Sequence, residues 1–198
     1  PKIHYFNFYG KAEPVRLAFD LAGVKYEDVR FEQSEWASKY KQLAPTGQCP
    51  WIELTDSLSL SESKACLLYA ATRANLWPSN PLHRAFAFQS INLLESALAP
   101  MKSILAKEGD VEAHMKQILE ALPRVDAMIA KSQSCEQYIA GNELSFADVY
   151  VYAYFVKSLP LLVPEGIERM TAAIPHVMKV CETVAQHPVV QKRYATSA

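Results

Sequence analysis

No window of the chain approaches the roughly 18 consecutive apolar residues that a helix needs to span a bilayer, and the opening Pro1-Lys2-Ile3-His4 has no apolar signal core. A cytoplasmic protein without a membrane segment is the expectation. There is also no basic block and no interleaving of lysine with aromatics, and 20 Lys and Arg against 21 Asp and Glu leave a net charge of -1. Nucleic acid is a poor partner for such a surface. The four cysteines, Cys49, Cys66, Cys135 and Cys181, form no C-x-x-C, and the five histidines form no H-x-x-x-H pair. Structural zinc and thiol–disulfide exchange are left without support, and no metal is expected. Cysteines scattered in this way serve most often as small buried hydrophobes.

Half of the residues are apolar and 21% are charged, as in an ordinary soluble globular protein. The first third mixes apolar periods of 2 and 3.6, whereas everything beyond about residue 82 reads as helix. That shift predicts two domains, residues 1–76 and 82–198, with Trp77-Pro78-Ser79-Asn80-Pro81 as the linker. Ile3 to Asn7 reads as a first strand. A helix from Ala12 to Leu21 follows, with Pro14 in its first turn and Gly23 closing it. Tyr26 to Phe31 is a second strand, spaced for a parallel crossover. The polar stretch Glu32 to Gly47 reads as irregular. Two further strands, Trp51 to Leu54 and Ser57 to Leu60, are close enough to form an antiparallel hairpin, and a helix from Glu62 to Asn75 completes a βαβ-ββα unit. Pro50, unable to donate to a ladder, belongs at a strand start.

Two apolar stripes mark the second part. Ile91, Leu94, Leu98, Met101 and Leu105 predict one long amphipathic helix, and Met115, Ile118, Leu122, Val125 and Ile129 predict another packed antiparallel to it. Ser145 and Asp148 have the spacing of a capping box at the start of a helix rich in aromatics, Tyr150, Tyr152, Tyr154 and Phe155. Further helices are expected over Ile174 to Gln186 and over the last ten or so residues.

Four motifs in this order, Tyr5-Phe6-Asn7…Gly10-Lys11-Ala12-Glu13…Arg16, Cys49-Pro50, Glu62-Ser63-Lys64-Ala65 and Gly141-Asn142…Ser145-Phe146-Ala147-Asp148, make the chain resemble the cytosolic glutathione transferases over essentially its whole length. The fold implied is α/β plus all-α: a thioredoxin-like βαβ-ββα domain followed by an all-helical domain carrying much of the second-substrate site. Among tyrosine-type classes the resemblance is to the sigma class, which includes glutathione-dependent prostaglandin D synthases and cephalopod lens crystallins. Tyr-Phe-Asn with Tyr26-Glu27-Asp28 matches that class, and the loop before Pro50 lacks an aromatic key for a partner subunit.

The resemblance implies glutathione as co-substrate, a homodimer, and conjugation of glutathione to small hydrophobic electrophiles, with isomerase or peroxidase activity on lipid peroxides as a further outcome. The thiol of glutathione has an ordinary pKa near about 8.5, so little of it is nucleophilic thiolate at neutral pH. A hydroxyl donating to the sulfur stabilises a charged partner by about 1.5 to 3 kcal/mol, or roughly one to two pKa units. Tyr5 matches the family's catalytic tyrosine; its structural alternative is a half-buried strand tyrosine whose hydroxyl meets water. Gln48, Cys49 and Pro50 match the cis-proline corner, whose backbone pairs with the cysteinyl part of glutathione. Ser63 and the helix amides match the grip on the γ-glutamyl carboxylate, and Glu62 the grip on its ammonium.

Trp36, Lys41 and Lys11 match positions that bind the glycyl carboxylate or border the thiol. Lys39 rivals Lys41, because the Trp36 to Pro50 interval is one residue longer than in the sigma pattern. Lys11 stands where prostaglandin synthases carry arginine, keeping the charge but losing the planar fork. The second substrate is expected against Phe8, Leu98, Met101, Tyr150 and Tyr154. At Glu95-Ser96 those synthases carry paired aspartates for a cross-subunit contact and metal activation, and Ser96 cannot supply the charge. The alternatives are a non-catalytic relative, either a ligand carrier or a lens-type structural protein, and a thiol-transfer enzyme that depends on Cys49.

Overall fold

A computed structural model describes residues 1–132 and 137–195. Strands β1 (Lys2–Phe6), β2 (Glu27–Phe31), β3 (Trp51–Thr55) and β4 (Leu58–Ser61) form one sheet in the order β2-β1-β3-β4. β1 and β2 are parallel, as the intervening helix α1 (Glu13–Leu21) requires, and β3 and β4 are an antiparallel hairpin. Along β1 the period of 2 buries Ile3 and Tyr5 and leaves Lys2, His4 and Phe6 half-buried. Helix α3 (Ser63–Arg73) packs beside α1, completing the expected βαβ-ββα order.

Element ends differ from the sequence reading where local chemistry decides them. Gly10–Ala12 is a turn of 3-10 helix, so α1 proper starts at Glu13, still with Pro14 in its first turn. Gly23, at φ +63°, ends it. The stretch expected to be irregular contains α2 (Gln33–Glu35), capped reciprocally by Glu32 and Glu35, and a π-helical turn over Trp36–Tyr40. Trp36 and Tyr40 stack on Phe31, with centroids 5.8 and 4.1 Å away, and this packing orders a segment that has few apolar residues.

In the helical part, Asn80 and Pro81 belong to a helix start rather than to a linker. The Asn80 side chain accepts the Leu82 N–H at 2.8 Å, and Pro81 occupies the first turn of α4 (Pro81–Ala97), where its missing N–H costs nothing. The stripe from Ile91 to Leu105 is two helices, not one: α4 ends at Ala97 and α5 (Met101–Ala106) begins after Pro100, whose ring and missing N–H favour a break there, although the next helix accommodates Pro123 in its interior. Leu105 is therefore 46% exposed, while Ile91, Leu94, Leu98 and Met101 are buried. The second stripe holds throughout α6 (Val111–Ser132), and all five of its apolar residues are buried against α4 and α5.

The aromatic helix is α7 (Phe146–Val151), continued by a π-helical segment over Tyr152–Ser158 and by α8 (Leu159–Leu162). It is followed by α9 (Ile167–Ala172), which the sequence reading lacks, then α10 (Pro175–Ala185) and α11 (Pro188–Ala195). Cys66 and Cys181 are buried, Cys49 is half-buried, and Cys135 lies outside the described residues. No helix among the described residues is long and apolar enough to cross a membrane.

The capping box of α7 ties the two parts together. Asp148 is fully buried and accepts the Ser145 N–H at 2.7 Å, the Ser145 hydroxyl at 2.6 Å and the Ile139 N–H at 2.7 Å. The next amide, Phe146 N–H, donates to the Leu76 carbonyl at 3.0 Å, at the end of the sheet-bearing part. Replacing the carboxylate leaves three buried donors without a partner, each costing about 1 to 3 kcal/mol less any relaxation. Asp148→Ala is expected to lose about 3 kcal/mol or more of unfolding free energy in a urea titration, and a loss under about 1 kcal/mol would contradict this role.

Candidate active site

The turn that follows β1, the N-terminus of α3 and the faces of α4, α5 and α7 meet around a recess and an adjoining cleft. Tyr5, 6% exposed at the end of β1, lies behind the turn and is not among the residues that line either. Its side chain shares the buried face of β1 with Ile3, and its ring packs against Phe6 and Phe8, with centroids 5.4 and 5.3 Å away. The Tyr5 hydroxyl accepts the Lys11 N–H at 3.1 Å. Burial pushes the phenol's pKa up to about 12, against the opposing pull of that amide, so the hydroxyl keeps its proton throughout the neutral range. With the amide occupying an acceptor site, the proton is left to be donated elsewhere.

Gly10 makes this approach possible. Its φ is +49°, and a Cβ there would lie 2.6 Å from both the Tyr5 hydroxyl oxygen and Phe8 Cε2. The turn is also held from below. Arg16, fully buried on α1, donates from Nη1 to the carbonyls of Phe8 at 3.0 Å and Tyr9 at 3.2 Å, and its guanidinium carbon lies 5.9 Å from the Tyr5 ring centroid. Ser158, from the helical part, shares its one hydroxyl proton between the Ala153 carbonyl at 2.9 Å and the Gly10 carbonyl at 3.3 Å.

The Cys49–Pro50 peptide is cis. The register His4↔Trp51 places Pro50 one step beyond the paired segment, alongside Tyr5. Burial raises the Cys49 thiol to about 11, with a small opposing effect from Lys11, so Cys49 is a poor nucleophile. At the start of α3, Glu62 is exposed and adopts φ 70°, a conformation that costs a non-glycine residue on the order of 1 to 3 kcal/mol. The next residue, Ser63, is half-buried at the helix N-terminus, where free N–H groups and the helix dipole favour an anion.

Of the expected residues, Lys11, Ser63, Tyr150 and Tyr154 line one recess together with Lys64 and Glu95. Leu98, Met101, Tyr150 and Tyr154 line an adjoining cleft of about 440 Å³, with Lys11, Glu95 and Lys102 at its margins. Phe8 stacks on Phe6 at 5.9 Å and lies 5.3 Å from the Tyr5 ring, is 36% exposed and, like Tyr5, is not among the residues that line the cleft. Its place is explained by the turn, which carries it over Gly10 rather than across to α5.

Trp36, Lys41 and Gln48 lie toward the β2 side. Trp36 meets Phe6 edge-on at 5.7 Å, and Lys41 and Gln48 are exposed. The rival Lys39 leans on the Tyr40 ring at 4.7 Å and reaches Glu35 at 3.7 Å. Glu95 is engaged within the chain, bonded to Lys64 at 2.7 Å and accepting the Tyr150 hydroxyl at 3.3 Å. Burial, followed by this carboxylate, raises the Tyr150 pKa and keeps that phenol a donor. Lys64 and Lys102 carried no separate signal in the sequence; each is one more lysine on a helix. Among the described residues, no group of three or more His, Cys, Asp or Glu is arranged to hold a metal ion.

A helix N-terminus, the Lys11 side chain and an apolar cleft thus lie side by side, with the neutral buried phenol of Tyr5 bonded to the Lys11 backbone behind them. The same arrangement of elements occurs elsewhere. Residues 1–72 match the family model for the glutathione S-transferase N-terminal domain, and residues 91–188 match that for the C-terminal domain. Glutathione S-transferase 1 of Ascaris suum is 31% identical over 160 residues, covering 76% of each chain. Hematopoietic prostaglandin D synthase of Gallus gallus is 28% identical over 154 residues, covering 75% of this chain and 74% of that one. The crystal structure of the glutathione S-transferase from Ascaris lumbricoides superposes with a TM-score of 0.80 at 28% identity, over 100% of this chain and 97% of that one. With both halves matched and the sheet-then-helices order shared from end to end, the chain belongs to the glutathione S-transferase family.

Proposed function

We propose that the protein is an active glutathione transferase of sigma-like character, in which Tyr5 donates a hydrogen bond to the thiol of glutathione and holds it as thiolate. The observation that carries this reading is the Tyr5 hydroxyl, which is buried and fixed by the Lys11 N–H at 3.1 Å, its pKa pushed up to about 12 by burial. A donor that never ionises in the working range and is already aligned stabilises an adjacent anion with little reorganisation. The Arg16 guanidinium, 5.9 Å from the Tyr5 ring centroid, adds positive potential that Glu13 and Asp28 partly offset, and the Lys11 side chain lines the adjoining recess.

Glutathione lies, in this reading, across the ends of the two central strands, β1 and β3. The Cys49 backbone, beside Pro50 and Gln48, pairs with the cysteinyl unit. Ser63 and the α3 amides take the γ-glutamyl carboxylate, and Glu62 takes its ammonium. Trp36 and Lys41 face the glycyl end; Lys39, already leaning on Tyr40 and Glu35, is the less available cation. Small hydrophobic electrophiles occupy the cleft lined by Leu98, Met101, Tyr150 and Tyr154. The likeness to prostaglandin D synthase supports lipid peroxides as a second kind of substrate. The thiol at Cys49, raised to about 11, argues against a thiol-transfer mechanism. The protein is proposed to act as a homodimer in the cytoplasm.

The experiment is turnover of a chlorinated nitroaromatic with glutathione, paired with calorimetric glutathione binding. Tyr5→Phe is expected to lose turnover by about 10- to 100-fold at neutral pH, matching about 1.5 to 3 kcal/mol, while glutathione affinity changes by less than about threefold. Cys49→Ala is expected to remain active, and the reverse pattern would overturn the assignment. Gly10→Ala, which must move the Tyr5 ring or the turn, is expected to lower turnover by about 10- to 100-fold in a folded protein. Unchanged turnover in that variant would show that the close approach at Gly10 is not needed.

A further inference from the structure

The turn behind Tyr5 is tied to the far end of the chain. Glu13, in the first turn of α1, is fully buried. Its Oε1 accepts Arg193 Nε–H at 3.0 Å, Arg193 Nη2–H at 2.8 Å and the Tyr194 hydroxyl at 2.7 Å, all from α11 and 180 or 181 residues away. Its Oε2 faces Arg16 Nη1 at 3.4 Å. The remaining arm of Arg193 donates to Asp20 and to the Tyr26 hydroxyl. Glu13 and Asp20, seven residues apart and so on one face of α1, are thus bridged by one guanidinium.

We propose that the Arg193–Glu13 ion pair is a positioning element of the active site: by satisfying Glu13 from α11 it leaves Arg16 free to hold the Phe8 and Tyr9 carbonyls, and so sets the turn whose Lys11 amide aligns the Tyr5 hydroxyl. Arg16 Nη1 is shared among three acceptors, at 3.0 Å from Phe8 O, 3.2 Å from Tyr9 O and 3.4 Å from Glu13 Oε2. The contact to Glu13 Oε2 is the longest of these, while Arg193 supplies two charged donors to the same carboxylate through Oε1. A buried carboxylate stripped of its principal cation draws in the nearest remaining one. That cation is Arg16, and its movement toward Glu13 lengthens the two carbonyl bonds that fix Phe8 and Tyr9. Asp28, which accepts Arg16 Nε–H at 2.9 Å, limits how far the side chain can compensate.

Arg193 is not among the residues that line the recess or the cleft, so it is a positioning residue and not a catalytic one. The consequence for chemistry rests on the reading of Tyr5 as the thiol-stabilising donor; the consequence for the turn does not. Two measurements on full-length Arg193→Ala and Arg193→Lys separate them: amide hydrogen exchange, and the ultraviolet titration of the thiol of bound glutathione. In Arg193→Ala, amides of residues 8–12 are expected to exchange about tenfold faster while those of β3 and β4 are unchanged, and the thiol pKa is expected to rise by at least about half a unit. Arg193→Lys, with the charge but not the fork, is expected to fall between wild type and Arg193→Ala, and it decides the matter if the alanine variant does not fold.

Unaltered exchange in residues 8–12 overturns the proposal. Faster exchange with an unaltered, already lowered thiol pKa also overturns it, because the pair then serves the fold alone. A thiol pKa that is ordinary in the wild type overturns the reading of Tyr5 instead, and the exchange result then decides by itself whether the pair sets the turn.

Discussion

The site depends on one short contact, that between the Lys11 amide and the Tyr5 hydroxyl. A phenol at the end of a strand would ordinarily turn its hydroxyl to water. Here a glycine at φ +49° brings the backbone within reach, so the hydroxyl is met by an N–H and buried against the turn. Burial sets its protonation state, the amide sets its direction, and both follow from the absence of a side chain at residue 10.

This contact is held from several directions. Arg16 fixes the two carbonyls before Gly10, Ser158 bonds the carbonyl of Gly10 itself, and α11 closes on α1 through Glu13. The helical part is therefore more than one wall of a cleft, since it grips the turn on which the sheet part relies. Asp148 serves the same end at greater distance, because the helix start it caps carries the Phe146 amide that binds back to Leu76. Polar groups so deeply buried stabilise only when each is paired, which makes such a network sensitive to single changes.

Much of this could be read from sequence. The alternation through Ile3 and Tyr5, Pro14 in a first helical turn, the capping box at Ser145 and the stripe from Met115 to Ile129 are local patterns with local causes, and they gave the sheet, the helices and their order. The four motifs brought out Tyr5, Cys49-Pro50 and Ser63 as one constellation, and the cleft residues Leu98, Met101, Tyr150 and Tyr154 do share a wall. The break at Pro100 was not read, because the apolar spacing runs on across it. The place of Phe8, stacked on Phe6 beside Tyr5, depends on backbone angles in a turn that no periodicity encodes. The clasp of Arg193 on Glu13 was invisible: one arginine among 20 basic residues gives no sign that it will meet a carboxylate 180 positions away.

The central claim is that this arrangement lowers the pKa of a bound thiol. The most direct test is the ultraviolet difference spectrum of glutathione bound to the wild-type protein, followed across pH. The account predicts a thiol that titrates roughly one to two units below its ordinary value of about 8.5, with a return toward that value in Tyr5→Phe. A thiol that titrates at its ordinary value in the wild type, or at the same lowered value in both proteins, would contradict it.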